Sequence, residues 1–471
     1  MKKIIVAALF SVVSLSAAVK AGDISFDGEK SAAGLGSGSG VPAASAPKAA
    51  APRSVAGSAP KKWTIMVFLN AKNNLELAGL YNINQMEKVG SDANVNIVAE
   101  LGRMNGQAQG DTHLDGDWTG SRRLYIQKDA DENVITSPVV DKLDKVDMGD
   151  YKRVVNFVAW AKKNYPARRY MLILWNHGSG WLDPQQTAKR LEKAMSTDKG
   201  ILFDDETNNY VRTKQIGAIL KEAGNVDILA YDACLMQMGE VAFEVKDNTK
   251  VIIGSEETVP GLGYPYNLFL GALAKNPDMT NEEFAKRTVA AFKMFYDAAK
   301  KGAQLSAIRA DKLEEFGAKM KAFAAAAQTA NDSAALIAAR NGVMRYDMIG
   351  ASSDPKMTIS FYGDVYQYAG LVAAASKDAD VKAKAADLQN FISTQLVIAN
   401  GGSGKNRVGR DLSESHGISV YLPPAETRIA QSKLEGIFEG KYTDYVFDGA
   451  TGWHDFVTFL YGVKPAAKAA K

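Results

Sequence analysis

From Trp63 onward, short apolar runs alternate with segments of helical periodicity, and this alternation constrains the fold more than any other feature of the sequence. The apolar runs lie at residues 65–69, 95–101, 170–175, 227–231 and 248–254. Amphipathic stretches lie between them, near residues 75–88, 150–164, 213–222 and 238–246. Strands that are apolar on both faces and alternate with helices are typical of a parallel sheet covered by helices. The sequence therefore predicts an α/β fold with a mostly parallel sheet.

The chain beyond Tyr266 is richer in helical patterns. Residues 281–299 have the pattern of an amphipathic helix, and an Ala-rich stretch, residues 311–339, predicts a further helical region. Two additional strand patterns, at 304–309 and 417–422, indicate that the sheet is extended or that a second subdomain forms. We therefore expect a helix-rich C-terminal part.

These patterns divide the chain into five parts. We expect an α/β domain over residues 62–300, which contains the candidate catalytic residues described below, and a C-terminal subdomain over 301–463. The remaining parts are a signal peptide over 1–21, a flexible low-complexity linker or pro-segment over 22–61, and a disordered Ala/Lys tail over 464–471.

The N-terminus has the features of an export signal. Lys2 and Lys3 precede an apolar run at residues 4–15, and the small residue Ala21 ends the segment. This run is shorter than the roughly 20 residues that span a bilayer. The residues that follow are mostly Ala, Gly, Ser and Pro, which bury too little apolar surface to offset the entropy of ordering them. We expect a protein without a membrane span that is exported, either to the periplasm or as a secreted protein.

The composition excludes several classes of function. The formal net charge is +3, from 56 Lys and Arg against 53 Asp and Glu, so the chain lacks the positive excess of a nucleic-acid binder. A single cysteine, Cys234, excludes an intramolecular disulfide and a zinc site with several cysteines. We expect a monomer with no nucleic-acid partner and no required cofactor.

The single cysteine and one of the four histidines directly follow two of the apolar runs. His177 follows residues 170–175 in the sequence NHGSG, and Cys234 follows residues 227–231 in the sequence YDAC. Because the ligand crevice of a parallel sheet lies at the carboxyl ends of its strands, we expect both side chains at one edge of the sheet. A thiol and an imidazole that converge there can act as nucleophile and base. The pattern alone leaves a second interpretation open, in which the cysteine is a buried structural residue.

Three blocks of sequence are more specific. They read WTIMVFLNAKNNLE from Trp63, LILWNHGSGW from Leu172 and DILAYDACLMQMGEVAFEV from Asp227. In this order they closely resemble the clostripain-like cysteine peptidases, which belong to the clan of caspases, gingipains and legumain. The resemblance implies a caspase-like three-layer α/β/α sandwich and a cysteine endopeptidase whose catalytic dyad is His177 and Cys234.

The resemblance also implies roles around the dyad. The thiolate of Cys234 attacks the scissile carbonyl, His177 moves the proton, and the backbone N–H groups of Gly178 and Cys234 bind the oxyanion. Asp232 matches the family's acidic residue at the base of the specificity pocket, where a carboxylate pairs with a substrate Arg or Lys. Without the resemblance, a loop aspartate that accepts local backbone hydrogen bonds is the favoured explanation of Asp232.

Two glutamates follow the next apolar run. Glu256 and Glu257 lie directly after residues 248–254, so we expect them in the same crevice. They either add negative charge to the specificity pocket or are solvated.

The segment between the second and third blocks contains candidates for self-cleavage. In the clostripain-like family, cleavage after a basic residue in this region opens the active site, and Lys189, Arg190 and Lys193 are the candidates here. A solvated charged helix is the alternative for these residues.

An acidic cluster that includes Asp204 and Asp205 follows this segment. Calcium prefers oxygen ligands of this kind. The alternative is an acidic turn at the N-terminus of the helix that begins near Thr213.

The leading hypothesis is therefore an exported endopeptidase that cuts protein or peptide substrates after Arg or Lys, with Arg preferred, and that is activated by self-cleavage. Two alternatives remain. One is a peptidase of the same fold with another preference at the residue before the cut. The other is a catalytically silent binding or scaffolding protein.

Overall fold

The computed structural model describes residues 59–104, 115–182, 200–346, 361–424 and 441–462. The predicted signal peptide, nearly all of the predicted linker and the predicted Ala/Lys tail lie outside the described residues. The same is true of the self-cleavage candidates Lys189, Arg190 and Lys193. Within the described ranges, every helix is too short or too polar to cross a membrane.

The described strands are β1 (Lys61–Asn70), β2 (Val95–Arg103), β3 (Gly120–Tyr125), β4 (Val139–Leu143), β5 (Ala167–Trp175), β6 (Ile201–Asp204), β7 (Asn209–Val211), β8 (Ile228–Asp232), β9 (Val251–Gly254), β10 (Ala303–Arg309), β11 (Arg345–Tyr346), β12 (Tyr362–Asp364), β13 (Val397–Ser403) and β14 (Ser419–Tyr421). The α-helices are α1 (Glu76–Glu87), α2 (Tyr151–Asn164), α3 (Thr213–Ala223), α4 (Gly239–Val245), α5 (Tyr266–Lys275), α6 (Asn281–Ala299), α7 (Leu313–Ala330), α8 (Ser333–Gly342), α9 (Val365–Ala375), α10 (Ala379–Phe391), α11 (Val446–Thr451) and α12 (Trp453–Gly462).

Nine strands form the central sheet, in the order β13-β10-β9-β8-β5-β1-β2-β3-β4. The five strands from β9 to β2 are parallel, and two antiparallel strands flank them at each edge. Each of the five apolar runs of the sequence overlaps one of these parallel strands, so the predicted α/β fold with a mostly parallel sheet is confirmed.

Helices cover both faces of this sheet. Trp63 of β1 packs edge-on against Phe284 of α6, with ring centroids 5.3 Å apart, whereas Phe68 packs against Phe157 of α2 at 5.8 Å. An odd and an even position of one strand point to opposite faces of the sheet, so α6 and α2 lie on opposite sides. The strand between them is buried from Trp63 to Asn70, as expected of the middle layer of three.

The part of the chain after residue 300 contributes to the same sheet. The strand predicted at 304–309 is β10, which pairs with β9, and β13 then pairs with β10. The strand predicted at 417–422 is β14, which instead joins β11 and β12 in a separate three-stranded sheet. The sheet is therefore extended and a second, smaller sheet also forms.

The Ala-rich stretch at 311–339 contains a break that its composition conceals. Helix α7 ends at Ala330, Asn331 has left-handed backbone dihedrals with φ 46°, and α8 starts at Ser333. Asn is one of the few residues that adopt this conformation readily, and the Asp332 side chain then accepts a hydrogen bond from Ala335 N–H to cap α8. The region is two helices and not one continuous helical run.

Candidate active site

Strands β5 and β8 bring the two predicted catalytic residues to one edge of the sheet. The strands are parallel neighbours in which Trp175 pairs with Asp232, so both end at the same level. The Asn176 N–H donates to the Asp232 carbonyl at 3.2 Å and extends the pairing by one step. His177 and Cys234 follow one and two residues after this last contact, as the sequence predicts for chain segments that leave a parallel sheet together.

Gly178 lets the two loops approach each other closely. A Cβ atom at this position would lie 2.4 Å from the Cys234 carbonyl oxygen and 3.1 Å from Ala233 Cβ. Any side chain would push the histidine loop away from the cysteine loop, so the glycine is a steric requirement of this contact.

The thiol of Cys234 lies against the segment that follows β9. The Val259 N–H donates to Sγ at 3.3 Å, and Leu235 N–H donates to the Glu257 carbonyl at 3.2 Å. Leu235 has φ 62°, a conformation that a branched residue rarely adopts. Strain directly after a candidate nucleophile is common at functional sites, because the surrounding contacts hold the backbone there.

The imidazole of His177 is enclosed and neutral. Only 1% of His177 and 2% of Cys234 is exposed. Burial lowers the pKa of His177 to about 4, so the ring is uncharged near neutral pH and keeps one nitrogen that can accept a proton. His177 Nε2 lies 2.7 Å from Asn74 Oδ1.

Asn176 fixes the backbone of the histidine loop. Its amide group donates to the carbonyls of Asn70 and Phe203. Its oxygen accepts from the N–H groups of His177 at 2.6 Å and Phe203 at 3.1 Å. All four polar contacts are buried, so a change at Asn176 would leave several backbone groups unpaired.

The two carboxylate oxygens of Asp232 differ in their hydrogen bonds. Its Oδ2 accepts 3.0 Å hydrogen bonds from Tyr264 N–H and the Tyr266 hydroxyl. Its Oδ1 is buried and has no hydrogen-bond partner among the residues that the structure describes. Burial raises the pKa of Asp232 to about 7, although both hydrogen bonds oppose the rise. Gly263, with φ 62°, permits this close packing, because a Cβ there would lie 2.7 Å from Oδ2.

Glu256 and Glu257 are buried, so the interpretation that they are solvated is wrong. Glu256 Oε2 accepts from Gly417 N–H at 2.8 Å and from Gln304 Nε2 at 3.0 Å. Glu257 Oε1 accepts from the backbone and the hydroxyl of Thr258. The Glu256 contacts run toward the C-terminal part of the chain and not toward Asp232; a role for either glutamate in substrate binding stays a prediction.

The carboxylate of Asp204 forms an ion pair with a lysine of the same chain. Lys72, which is completely buried, places Nζ 3.1 Å from Asp204 Oδ2 and also binds Glu206. The Asp205 N–H donates to the Lys72 carbonyl. Over the described ranges, no three His, Cys, Asp or Glu side chains are grouped so as to hold a metal ion.

Asp204 ends β6 and lies before β7, so the acidic cluster is not the first turn of the helix at Thr213 (α3), and that alternative is wrong.

The two ends of residues 183–199 lie beside the histidine loop. The Ser179 hydroxyl is 2.9 Å from the Leu182 carbonyl and 3.3 Å from the Gly200 carbonyl, to which Ser179 N–H also donates. Gly178 forms an isolated bridge with Ile201. The described residues on either side of 183–199 therefore contact the one or two residues that follow His177.

An aromatic cage that the sequence analysis did not predict surrounds Trp181. The rings of Tyr421, Tyr442 and Tyr445 pack edge-on against the indole, with centroids 5.1, 4.9 and 5.5 Å away. Buried Glu240 of α4 accepts from Tyr421 N–H and the Tyr442 hydroxyl and thereby ties the cage together. These contacts join the C-terminal part of the chain to the loop that contains His177.

Comparison with known proteins gives a consistent relationship. The family model described as the clostripain family matches residues 67–458. Clostripain from Hathewaya histolytica is 28% identical over 234 residues, which are 47% of this chain and 44% of that protein. This chain thus spans less than half the length of that curated relative.

Two crystal structures share the fold. A secreted C11 cysteine protease from Bacteroides thetaiotaomicron has a TM-score of 0.57 at 18% identity, over 83% of this chain and 99% of its own. An inactive zymogen C11 protease from Parabacteroides distasonis has a TM-score of 0.59 at 17% identity, over 84% and 99%. The family match extends over most of the chain and includes every strand of the central sheet except the first residues of β1. The chain therefore belongs to the clostripain family of cysteine peptidases.

Proposed function

We propose that this protein is an exported cysteine endopeptidase that hydrolyses peptide bonds after Arg, and less efficiently after Lys, with His177 and Cys234 as its dyad. One observation carries the proposal. The paired strands β5 and β8 deliver the imidazole and the thiol to one sheet edge, where Gly178 lies against the Cys234 carbonyl. A nucleophile and a base on adjacent loops are the minimum that covalent acyl transfer requires.

The proposed reaction uses the neutral imidazole. His177 takes the thiol proton, and the Cys234 sulfur forms a bond to the scissile carbonyl carbon, whose oxygen becomes an oxyanion held by the N–H groups of Gly178 and Cys234. The intermediate collapses, the C–N bond breaks, and His177 returns its proton to the leaving amine. In the second half His177 removes a proton from water, the hydroxide displaces sulfur from the acyl group, and the thiol is restored.

Asp232 supplies the proposed preference for basic substrates. Its free Oδ1 has no internal donor among the described residues, and a substrate guanidinium would provide two N–H groups in one plane. A pKa of about 7 means that the empty site is partly protonated at neutral pH and that a bound cation favours the ionised carboxylate. Arg fits such a site better than Lys, because its donors form a fixed fork.

Burial of the dyad supports activation by self-cleavage. In the uncut chain His177 and Cys234 are almost completely enclosed, which is unsuitable for a substrate. Leu182 and Gly200, which flank residues 183–199, both contact Ser179 in the histidine loop, so a cut after Lys189, Arg190 or Lys193 would free chain ends that are attached at the site itself. We propose that the enzyme works as a monomer, without a required cofactor, in the periplasm or the medium.

The test compares the full-length wild type with C234A and H177A. Mass spectrometry of the purified proteins maps self-generated fragments, and fluorogenic substrates with Arg, Lys, Asp or Asn before the cut measure turnover. We expect cleavage after one of the three basic candidates and turnover of the Arg substrate, both abolished in C234A and H177A. His454→Gln, a half-exposed histidine on α12, serves as the matched control and keeps both activities.

Results other than these contradict specific parts of the proposal. Undiminished turnover in C234A excludes the thiol from the mechanism, and a preference for Asp or Asn excludes the basic specificity. An intact wild type that turns over none of the four substrates, before or after limited cleavage by trypsin, supports the silent scaffold.

A further inference from the structure

The catalytic histidine has a second neighbour besides the cysteine loop. His177 Nε2 lies 2.7 Å from Asn74 Oδ1, and Asn74 follows β1, the strand that pairs with β5 on the side away from β8. Three adjacent parallel strands, β8, β5 and β1, are therefore followed by loops that contain Cys234, His177 and Asn74, respectively. The asparagine belongs to the first of the three characteristic sequence blocks.

The loop that contains Asn74 is rigidly held. Asn73 donates to the Phe203 carbonyl at 2.8 Å and accepts from Leu75 N–H at 2.9 Å. Buried Lys72, two residues before Asn74, forms an ion pair with Asp204. Asn73 and Leu75, the two neighbours of Asn74 in the sequence, are thus held by buried polar contacts, which limits the positions that the Asn74 side chain can reach. Fixed supporting contacts of this kind are what a positioning residue needs.

The chemistry of an amide oxygen determines the protonation pattern of the ring. An oxygen only accepts hydrogen bonds, so at 2.7 Å it requires a proton on Nε2. Burial keeps the imidazole neutral, and a neutral ring carries a single N–H. If Nε2 holds that proton, Nδ1 holds the lone pair that can accept a proton from the thiol.

We propose that Asn74 is a positioning residue that fixes His177 in the Nε2–H tautomer and so makes Nδ1 the proton-accepting atom. The inference rests on the proposed function, in which His177 is the base. It goes beyond the dyad, because it assigns a role to a third residue on a third strand. Asn74 would not touch the substrate and would act only through the imidazole.

A neutral partner suits this position better than a charged one. A carboxylate at hydrogen-bond distance favours the imidazolium form and raises the pKa of a histidine. Asp232 and the Lys72–Asp204 ion pair lie on segments next to the histidine loop, and burial is the cause of the low pKa of His177. Exchange of Asn74 for Asp therefore changes the charge next to the ring by one unit with almost no change in shape.

The first experiment measures the tautomer without any need for turnover. Full-length C234A is labelled with ¹⁵N-histidine, and long-range ¹H–¹⁵N spectra are recorded across pH. The chain has four histidines, so the signal of His177 is identified by its loss in the additional variant H177Q. We expect a protonated Nε2 and an unprotonated Nδ1, a mixture of tautomers when Asn74→Ala is added, and a titration at higher pH when Asn74→Asp is added. A ring that carries its proton on Nδ1, or one that Asn74→Ala leaves unchanged, overturns the inference.

The second experiment measures catalysis in the otherwise wild-type chain. With the Arg substrate, N74A should lower kcat about 10- to 100-fold with little change in KM, since only proton transfer is affected. N74D should retain much of kcat but move the pH–rate profile upward by about one pH unit. Asn225→Asp, an exposed change at the opposite end of β8, is the matched control and should leave the profile in place.

The outcomes separate the inference from the proposed function. Wild-type turnover with an unshifted N74D profile removes Asn74 from the mechanism and leaves the dyad intact. If wild type and all variants lack turnover, the proposed function fails, and the tautomer measurement still decides whether Asn74 sets the protonation of His177. Thermal unfolding of each variant verifies that the protein folds.

Discussion

The hydroxyl of Tyr266 donates a 3.0 Å hydrogen bond to Asp232 Oδ2, deep in the site where we propose that a substrate arginine binds. This bond stabilises the ionised carboxylate, so it holds the pKa of Asp232 below the value that burial alone would give. In Tyr266→Phe the pKa of Asp232 should rise further. KM for an Arg substrate, which we expect to rise as the pH falls through 7 in the wild type, should then begin to rise at a higher pH.

The measurement is KM and kcat for the Arg substrate between pH 5.5 and about 9. Tyr151→Phe removes a hydroxyl that contacts Glu222 at the surface and should leave the dependence of KM on pH unchanged. An identical KM profile in Tyr266→Phe and the wild type would show that Asp232 does not bind the basic side chain.

Replacement of Asp232 itself should lower turnover of the Arg substrate and raise the free energy of unfolding. The folded protein binds a proton at Asp232 up to a pKa of about 7, whereas the unfolded chain releases it near 3.8, so folding stability falls as the pH rises from about 4 to 7. In Asp232→Asn the side chain cannot ionise, so this decrease of folding stability with pH is absent. Because one pKa unit corresponds to about 1.4 kcal/mol, the variant should gain up to about 4 kcal/mol relative to wild type at pH 8 and nothing at pH 3.5.

Chemical denaturation in the C234A background, at both pH values, checks this difference in free energy. Turnover of the Arg substrate, measured with Cys234 present, should fall at least about 100-fold in Asp232→Asn. A variant that is less stable at pH 8 would mean that the empty carboxylate is not destabilising.

A methyl group at Gly178 should separate the two catalytic loops. Alanine would place Cβ 2.4 Å from the Cys234 carbonyl, so the variant should lose about 1–3 kcal/mol of stability and roughly 100-fold in kcat, since small displacements of reacting groups are costly. The control is Gly449→Ala in α11, where a Cβ meets nothing within 4 Å and the backbone has ordinary dihedrals. It should be neutral or gain up to about 1 kcal/mol, because alanine favours the helix. Equal behaviour of the two variants would contradict the proposed contact.

The parts of this architecture that depend on local pattern were predictable. Apolar runs on both faces marked β1, β5 and β8, and the polar residues after β5 and β8 marked the site. The same reasoning applied to β1 points to Asn74, which stands among the polar residues that follow this strand, so that residue could have been found.

Other features depend on contacts between distant parts of the chain. Strand β4 is short and has no fully buried residue, so its composition gives no clear signal. The Trp181 cage requires Tyr442 and Tyr445 to return to a loop about 260 residues earlier in the sequence, and no local periodicity encodes such a pairing. Burial of Glu256 likewise depends on Gly417 and Gln304, which lie far along the chain.

The cage around Trp181 should couple the C-terminal part to the histidine loop. Tyr442→Phe keeps the ring that packs on the indole but removes the donor to Glu240, which should cost about 1–3 kcal/mol of stability. Tyr442→Ala also removes the ring and should cost about 3–5 kcal/mol. If the cage positions the loop, kcat should fall more in the alanine than in the phenylalanine variant at a temperature where both are folded. Equal kcat values in both variants and wild type would confine the cage to a structural role.

Glu256 lies in a cluster of buried acidic residues, and its ionisation should make the folded protein less stable as the pH rises. Burial and the nearby carboxylate of Asp364 raise the pKa of Glu256 well above its usual value. Among the described residues, the titratable side chains that face this carboxyl are Asp364, Tyr346 and Glu257, and His416 contacts Asp364 at 3.2 Å. The folded state holds a proton that the unfolded chain loses near pH 4.5, so stability falls as the pH rises above that point.

Glu256→Gln keeps an oxygen that can accept from Gly417 N–H and cannot ionise, so above neutral pH it should be more stable than wild type, and this advantage should grow as the pH rises. Glu282 provides a control of opposite sign, because its hydrogen bonds with Arg309 lower its pKa. Its contribution is present above about pH 4.5 and lost as the pH falls, so Glu282→Gln should destabilise the protein at neutral pH. Denaturation curves of both variants at pH 5 and 8 decide the matter: a stability difference between Glu256→Gln and wild type that is the same at both pH values would show that Glu256 is already ionised in the folded protein at pH 5.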